Sequence, residues 1–283
     1  MDTRTKQFVR FYARPKLKEP VLLAAWPGIG NVSLILANYL LDKLPFKDLA
    51  EVDAARFFDP IGVLARDNVV EAPHFPESRF YYWKNRKGGH DLILFIGDDQ
   101  PSNKVYELAA CVLDVAKVFE TARVYTCAAA LTRIHFTEQP KTWAVATSRR
   151  LAAELGQHDL LRKGNIQIAG LNGLLLGMAK ERDTDGVCLL GEVPAQTSRM
   201  ENPVAALAIL RVFMKLAGFE VDTTELAEAA SEIIEQVKQA TAVAMGEYIE
   251  HFTQPIWEQG NGQNEAEDDE EDDDEDEGSE LQN

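Results

Sequence analysis

Two glycine-bearing junctions constrain the fold of this chain most strongly, because each joins an apolar run directly to a segment rich in glycine and other small residues. The first junction places residues 21–26 ahead of residues 27–33, and the second places residues 166–169 ahead of residues 170–177. We predict a buried strand followed by a helix at each junction. A helix that begins directly after a strand directs its unpaired N–H groups and the positive end of its dipole into the crevice above the sheet. Both junctions are therefore predicted to lie at the edge of the sheet where a ligand or partner binds.

Strand-like and helix-like segments alternate along the chain, as they do in proteins with a mainly parallel sheet covered on both faces. The other predicted strands are residues 52–57, 69–74, 79–84, 91–96, 124–127 and 187–190. The predicted helices cover residues 31–44, 103–119 and 204–216, and a longer helix begins near Glu225. We expect an α/β fold, a three-layer α/β/α sandwich with a mainly parallel sheet.

Turn and capping residues mark the ends of several elements. Gly88 and Gly89 supply the positive φ that a tight hairpin needs between residues 79–84 and 91–96. The predicted caps are Ser102, Asn202 and Asp222 at helix starts and Gly218 at a helix end. An apolar stripe from Leu226 to Tyr248, at three- and four-residue spacing, predicts that the last helix packs on its own domain.

The net charge of −17 is distributed unevenly along the 283 residues. Of the 46 acidic residues, 13 lie within residues 265–280, and the rest of the chain carries 33 acidic residues against 29 basic ones. Such a like-charge block repels itself when compact, so we predict a disordered acidic tail at residues 259–283. It would solubilise the protein, attract a basic partner or cover the basic N-terminal arm. We expect a basic arm at residues 1–19 and an α/β domain at residues 20–254.

Composition and charge favour a cytoplasmic protein that acts without nucleic acid or membrane. No apolar run approaches the roughly 20 residues that a membrane-spanning helix needs. The N-terminal residues alternate basic and other side chains without the apolar segment of a secretory signal. No stripe of lysine and arginine interleaved with aromatic residues is present, and an acidic tail would repel phosphate.

The sequence predicts neither a metal site nor a catalytic cysteine. Cys111, Cys127 and Cys188 lie far apart within apolar stretches, which is typical of reduced thiols in a core. The five histidines form no pair at metal-binding spacing, and no pair of cysteines does either.

The spacing of Gly28, Gly30 and Ser33 approximates the dinucleotide-binding pattern, with Glu51 or Asp53 near the position of a ribose-binding acid. Proline in the turn and serine as the third small residue depart from that pattern. We interpret the segment as a structural tight turn and expect no cofactor. Gly173 and Gly177 lie one helical turn apart, so we predict close packing of that helix face against the sheet or another subunit.

Polar residues follow the predicted strands on the edge that carries the glycine junctions. Carboxyl ends of parallel strands meet at one edge of a sheet, where open α/β sheets bind their ligands. We predict a binding rim formed by Gly28, Gly30, Asn31, Asp98, Asp99, Gln100, Asn172, Gly173 and Glu192.

Four sequence blocks, in this order, carry a resemblance to a known family. They are residues 26–32 (Trp-Pro-Gly-Ile-Gly-Asn-Val), residues 97–101 (Gly-Asp-Asp-Gln-Pro), residues 170–177 and residues 186–192 with Pro194. Together they resemble the proteasome assembly chaperone 2 family from about Pro20 to Leu226. The resemblance implies an α/β/α fold similar to purine nucleoside phosphorylases, a tendency to form homo-oligomers, and protein partners, which include the 20S proteasome for eukaryotic members.

The chain differs from some archaeal relatives at its C-terminus. Those relatives dock on the proteasome through a hydrophobic residue, a tyrosine and one further residue. Here the last three residues are Leu281, Gln282 and Asn283. The resemblance therefore implies a protein partner and leaves its identity open.

Two functions remain open from the sequence alone. The first is a non-catalytic protein-binding factor that acts as a homo-oligomer. The second is a small-molecule enzyme, of nucleoside phosphorylase-like or ligase-like type, in the strand-end crevice. That enzyme would use the predicted polar rim, with residues 28–31 cradling an anion and Arg133 and Arg199 approaching in the fold.

Overall fold

The computed structural model describes residues 5–59, 62–158, 160 and 164–253. The strands are β1 (Val9–Phe11), β2 (Val21–Ala25), β3 (Lys47–Val52), β4 (Ala65–Arg66), β5 (Val69–Val70), β6 (Ser78–Trp83), β7 (Leu92–Gly97), β8 (Arg123–Thr132), β9 (Thr142–Ala146) and β10 (Gly186–Pro194). The α-helices are α1 (Thr5–Phe8), α2 (Val32–Lys43), α3 (Val105–Val118), α4 (Arg149–Gly156), α5 (Gly170–Glu181), α6 (Pro203–Ala217) and α7 (Thr224–Thr253).

Eight strands form one sheet in the order β1-β3-β6-β7-β2-β8-β10-β9. The four central strands β7, β2, β8 and β10 run parallel. The flanking strands pair antiparallel on both sides. Strands β4 and β5 form a separate two-stranded ribbon. The predicted α/β fold is confirmed, with a parallel centre and antiparallel margins.

Helices cover both faces of the sheet, which explains why the central strands are nearly continuous apolar runs. Every residue of β2 and β7 is buried. On one face α2 and α6 contribute Leu36 and Phe213 to the core, and on the other α3 and α5 contribute Leu108 and Leu175. Each such fully buried side chain contributes about 1.5–3 kcal/mol relative to an exposed one.

Several predicted element ends are confirmed. Strands β6 and β7 form the expected antiparallel hairpin, with φ of 102° at Gly88 and 87° at Gly89 in the turn. Asn202 caps α6, because its side chain accepts a hydrogen bond from the Ala205 N–H over 2.8 Å. Gly218 ends the same helix with a φ of 71°. These ends depend on short-range chemistry that the sequence displays directly.

Other predictions of secondary structure are wrong. Residues 166–169 form no strand but an irregular, mostly exposed segment, because three apolar residues around Gln167 are too short a run to define an element. Ser102 does not cap α3, because that helix begins later, after Lys104 in the left-handed region with a φ of 59°. Residues 52–57 contain only the last residue of β3 and a turn of 3₁₀-helix, and the strand predicted at residues 69–74 is reduced to Val69–Val70.

The helix α7 begins as predicted and spans two compact units of the chain. The Asp222 side chain accepts hydrogen bonds from the N–H and hydroxyl of Thr224, and these bonds lower the pKa of Asp222. Leu226 and Ala230 are buried in the core of the first unit, Met1–Glu235. Ala240 and Ala244, further along the predicted stripe, are exposed, so the packing prediction is confirmed only for the beginning of the helix. Within the second unit, residues 236–253 are helical, and the predicted acidic tail lies outside the described residues.

Strand β1 extends the sheet with residues that the sequence placed in the basic arm. It pairs antiparallel with β3, and Val9 is 7% exposed. Among the helices that the structure describes, none is long and apolar enough to cross a membrane.

Candidate functional site

The first glycine junction begins at a buried tryptophan. The Trp26 ring is fully buried and packs on Phe95 with ring centroids 5.1 Å apart. A Cβ atom at Gly97 would lie 2.6 Å from the indole nitrogen of Trp26, so only glycine admits the ring there. The two sequence blocks that begin at Trp26 and Gly97 therefore pack against each other where the neighbouring strands β2 and β7 end.

Gly30 and Asn31 join the start of α2 to the start of α6. Both residues adopt positive φ, 64° and 48° respectively. A Cβ at Gly30 would lie 3.0 Å from the Cβ of Asn202, and the Gly30 carbonyl accepts a hydrogen bond from the Asn202 N–H over 2.8 Å. The Asn31 side chain donates to Glu201 over 3.4 Å. These two predicted rim residues hold the junction in place.

Gln100 connects the two glycine junctions. Its Nε2 atom donates to the Pro27 carbonyl oxygen over 2.7 Å, and its Oε1 atom accepts from the Leu171 N–H over 3.0 Å. Gly170 has a φ of 69°, and a Cβ there would lie 2.8 Å from Gln100 Oε1. The start of α5 thus lies beside the first junction, on the same edge of the sheet.

A cavity of about 530 Å³ lies between the two junctions, and we call it the junction cavity. Three predicted rim residues, Gly28, Gln100 and Asn172, line it. Its other lining residues are Pro27, Ile29, Ser33, residues 127–131, residues 166–170 and Leu190. The wall is therefore largely apolar, with a few polar groups from different elements.

Two of these polar groups are buried without a hydrogen-bonding partner. Ser33 lies at the start of α2 and is 3% exposed, and Asn172 lies at the start of α5 and is 5% exposed. Neither Ser33 Oγ nor Asn172 Oδ1 has a hydrogen-bonding partner. The main chain of Asn172 is engaged, since its carbonyl accepts from the Thr126 hydroxyl over 3.3 Å.

The two glycines of α5 have different surroundings. A Cβ at Gly173 would lie 1.9 Å from the carbonyl oxygen of Ile168, so the helix packs directly on the irregular segment before it. No atom lies within 4 Å of the Cβ position at Gly177. Close packing at Gly173 is confirmed, although the neighbour is the segment before the helix and not the sheet, whereas Gly177 faces open space in the single chain and its packing against another subunit stays a prediction.

The predicted acidic residues accept hydrogen bonds from backbone N–H groups, in one case within the same loop and in two cases from another segment of the chain. Asp98 accepts from the Glu77 N–H over 3.0 Å, and Asp99 accepts from the Gln100 N–H over 2.7 Å. Glu192 accepts from the Lys141 N–H over 2.9 Å. Asp99 lines a second cavity, of about 730 Å³, together with Gln100 and the segment that leads into the ribbon. None of the three acids lines the junction cavity, and neither do Arg133 and Arg199, which are exposed.

Exposed apolar side chains lie at the junction cavity and near the first glycine junction. Ile29, Leu131 and Ile166 line the cavity and are 44–47% exposed. Met200 is 40% exposed, and its carbonyl oxygen lies 3.5 Å from the Cβ position of Gly30. We call these four residues the rim patch. The rim patch was not predicted from the sequence, because the residue type alone does not distinguish an exposed apolar residue from a buried one at a strand end or in a loop.

The three cysteines are buried thiols, as predicted. Burial raises the pKa of Cys127, which lines the junction cavity, well above its usual value. Burial also raises the pKa of Cys188 to about 12. Both thiols are therefore protonated near neutral pH and are poor nucleophiles. Within the described part of the chain, no group of three or more histidine, cysteine, aspartate or glutamate residues could hold a metal ion.

Comparisons with known proteins place these features in one family. The model of the PAC2 family matches residues 22–241. The uncharacterised protein MJ1210 of Methanocaldococcus jannaschii is 29% identical over 230 residues, which cover 79% of this chain and 84% of that protein.

Solved structures match over a similar extent. PbaB of Pyrococcus furiosus, described as an archaeal proteasome activator, is 29% identical, has a TM-score of 0.70 and covers 82% of this chain and 98% of its own. PbaA of the same organism, described as an archaeal homologue of proteasome-assembly chaperone, is 24% identical, with a TM-score of 0.63 and coverage of 82% and 96%.

Proposed function

Since the chain belongs to the PAC2 family, we propose that it is a protein-binding factor that assists the assembly or activity of the proteasome. It acts in the cytoplasm as a homo-oligomer and catalyses no reaction of its own. The observation that carries this proposal is the likeness to PbaB, at 29% identity over 82% of this chain. The proposed partner is the 20S core particle.

The rim patch is the surface that we propose for partner binding. Four exposed apolar side chains grouped at one edge of the sheet form the kind of patch that often marks a protein interface. Gln100 and the positive-φ residues Gly30 and Gly170 fix the loops that carry the patch. A surface that is already ordered loses little conformational entropy on binding.

The engagement of the acidic residues supports a non-catalytic role. Asp98, Asp99 and Glu192 each accept a hydrogen bond from a main-chain N–H, as loop-capping carboxylates do. A general acid or base must instead be free to reach a reacting proton. The raised pKa of the Cys127 thiol argues against a cysteine nucleophile at the junction cavity.

Mixing experiments with purified components test the proposal. We expect the protein to elute as a homo-oligomer in size-exclusion chromatography with light scattering, and to co-elute with the purified 20S core particle of its own organism. Separate elution at micromolar concentrations and moderate salt would count against a role at the proteasome. A monomeric mass would refute the homo-oligomer.

A further inference from the structure

We propose that a basic patch, at the edge of the sheet where β2 and β7 begin, binds the acidic block at residues 265–280 of a second copy of this chain. This edge is opposite to the one that carries the rim patch. We call the basic surface the hairpin patch, and its members are Lys16, Lys18, Lys84, Arg86, Lys87 and Lys215. The proposal names one contact between the copies of the proposed homo-oligomer and rests on that part of the proposed function. It requires no binding to the proteasome.

The main chain brings the hairpin patch together around one buried carboxylate. Asp91 is 4% exposed, and its Oδ2 atom accepts from the Lys18 N–H over 2.7 Å while its Oδ1 atom accepts from the Asn85 N–H over 2.8 Å. The Asn85 side chain in turn accepts from the Lys87 N–H over 3.1 Å. These bonds use main-chain N–H groups, so the charged ends of Lys18 and Lys87 take no part in them.

The end of α6 joins the same edge. The Asn85 side chain donates to the Gly218 carbonyl oxygen over 3.0 Å, and the His90 N–H donates to the Ala217 carbonyl oxygen over 3.1 Å. Lys215 lies in the last turn of this helix and is exposed. Three separate segments of the chain therefore contribute cations to one surface.

The hairpin patch carries an excess of positive charge. All six cations are exposed, and none of them forms a salt bridge with another residue that the structure describes. The acidic residues in the same three segments are Glu19, Asp91 and Glu220, so six positive charges face three negative ones. Asp91 already accepts two hydrogen bonds, as described above.

The acidic block has the complementary charge. Residues 265–280 contain 13 acidic residues and no basic ones, whereas acidic and basic residues are nearly balanced over the rest of the chain. Complementary charge steers association and determines which surfaces meet. The block is therefore the segment of this chain whose charge best fits the hairpin patch.

The length of α7 favours the block of a second copy over that of the same chain. The helix begins six residues after Gly218, and its 30 residues span about 45 Å at a rise of 1.5 Å per residue. The block begins 12 residues after Thr253, a stretch that covers at most about 43 Å when fully extended. Only the later part of the block can thus return to the start of its own α7. A second copy can present the whole block.

Two variants of the full chain separate the two sides of the contact. The patch variant replaces all six cations of the hairpin patch by Gln. The tail variant replaces each Asp by Asn and each Glu by Gln within residues 265–280. When the patch variant flows over the immobilised tail variant in a biosensor, the block and the patch can meet only between copies. We expect saturable binding at 50 mM NaCl that weakens at least about tenfold at 0.5 M, because salt screens exposed charges.

Two further immobilised proteins locate the binding. Adding the six patch substitutions to the tail variant should weaken binding of the same analyte at least about tenfold. The matched control adds six Gln substitutions at exposed cations elsewhere and should bind like the tail variant itself. These control positions are Lys117, Arg133, Lys141, Arg149, Lys180 and Arg199.

A change in the analyte gives a test that does not depend on the fold of the patch. A patch variant that also carries the tail substitutions should lose binding to the immobilised tail variant to the same extent. Equal binding with and without the hairpin patch, or an equal loss in the matched control, would overturn the proposal. No binding between the patch variant and the tail variant would overturn it too. The mass from light scattering decides separately whether the unchanged protein is a homo-oligomer.

Discussion

Gln100 donates a hydrogen bond from Nε2 to the carbonyl oxygen of Pro27 over 2.7 Å, which ties the loop after β7 to the loop after β2. The same side chain accepts from the Leu171 N–H at the start of α5. One residue thus holds two chain segments that are far apart in sequence on one edge of the sheet. The candidate site depends on this arrangement.

Replacing Gln100 tests that arrangement. Gln100→Leu removes both hydrogen bonds and leaves the Pro27 carbonyl without this donor, so we expect the free energy of unfolding to fall by about 1–3 kcal/mol. Urea denaturation monitored by tryptophan fluorescence measures it. Gln157→Leu, at an exposed position after α4, is the matched control and should change stability little. An unchanged unfolding midpoint for Gln100→Leu would show that the bridge contributes nothing.

The two glycines of α5 predict opposite effects of one substitution. Gly173→Ala would place a Cβ 1.9 Å from the Ile168 carbonyl oxygen, so the segment before the helix must move and stability must fall. Gly177→Ala meets open space within the same helix and should stabilise the protein by about 0.5–1 kcal/mol. Thermal unfolding of the two variants side by side gives the sign of each effect. A stabilising Gly173→Ala would contradict the packing of α5 on residues 166–169.

The buried thiols predict a loss of stability at alkaline pH. Thiols in the unfolded chain ionise near pH 9.0, whereas burial holds the pKa of Cys188 at about 12. Between these values the unfolded state binds fewer protons than the folded state, so the free energy of unfolding falls as pH rises. The limiting slope is about 1.4 kcal/mol per pH unit for each thiol. Below pH 9.0 the contribution is fully present.

Urea midpoints measured from pH 8 to pH 11 test this pH dependence. Cys188→Ala removes one titrating group and should show a shallower decline than the unchanged protein. Tyr125, whose pKa burial raises from 10.0, contributes in the same direction in both proteins. Equal slopes for the two proteins would contradict the assignment to Cys188.

The sequence was informative where short-range chemistry decides the structure. The turn at Gly88 and Gly89 and the helix end at Gly218 depend on a positive backbone φ. The cap at Asn202 depends on an N–H donor three residues away. Asn172 was predicted for the rim because it is a polar residue that follows a predicted strand at the second glycine junction. The burial of its side chain in the same cavity wall as Ser33 depends on two helices on opposite faces of the sheet, which no local pattern specifies.

The errors also have physical reasons. Residues 166–169 are apolar except for Gln167, a composition that a buried strand can also have, but Ile166 is 44% exposed and belongs to the rim patch. Composition cannot separate a strand from an exposed apolar surface, since both require the same residue types. Strand β3 contains charged residues because it lies near the edge of the sheet, where burial is incomplete. Its sequence therefore does not show the apolar pattern by which a strand is predicted.

The affinity of rim-patch variants for the 20S core particle shows whether the rim patch binds the proteasome. Biosensor titrations should compare the unchanged protein with Ile29→Asp, Leu131→Asp and the control Val70→Asp, which alters an exposed valine of the ribbon. A charge at the centre of an apolar interface should weaken binding more than about tenfold. We expect that loss for Ile29→Asp and Leu131→Asp, and an affinity close to that of the unchanged protein for Val70→Asp. Equal affinity for all four proteins, or no binding by the unchanged protein, would contradict it.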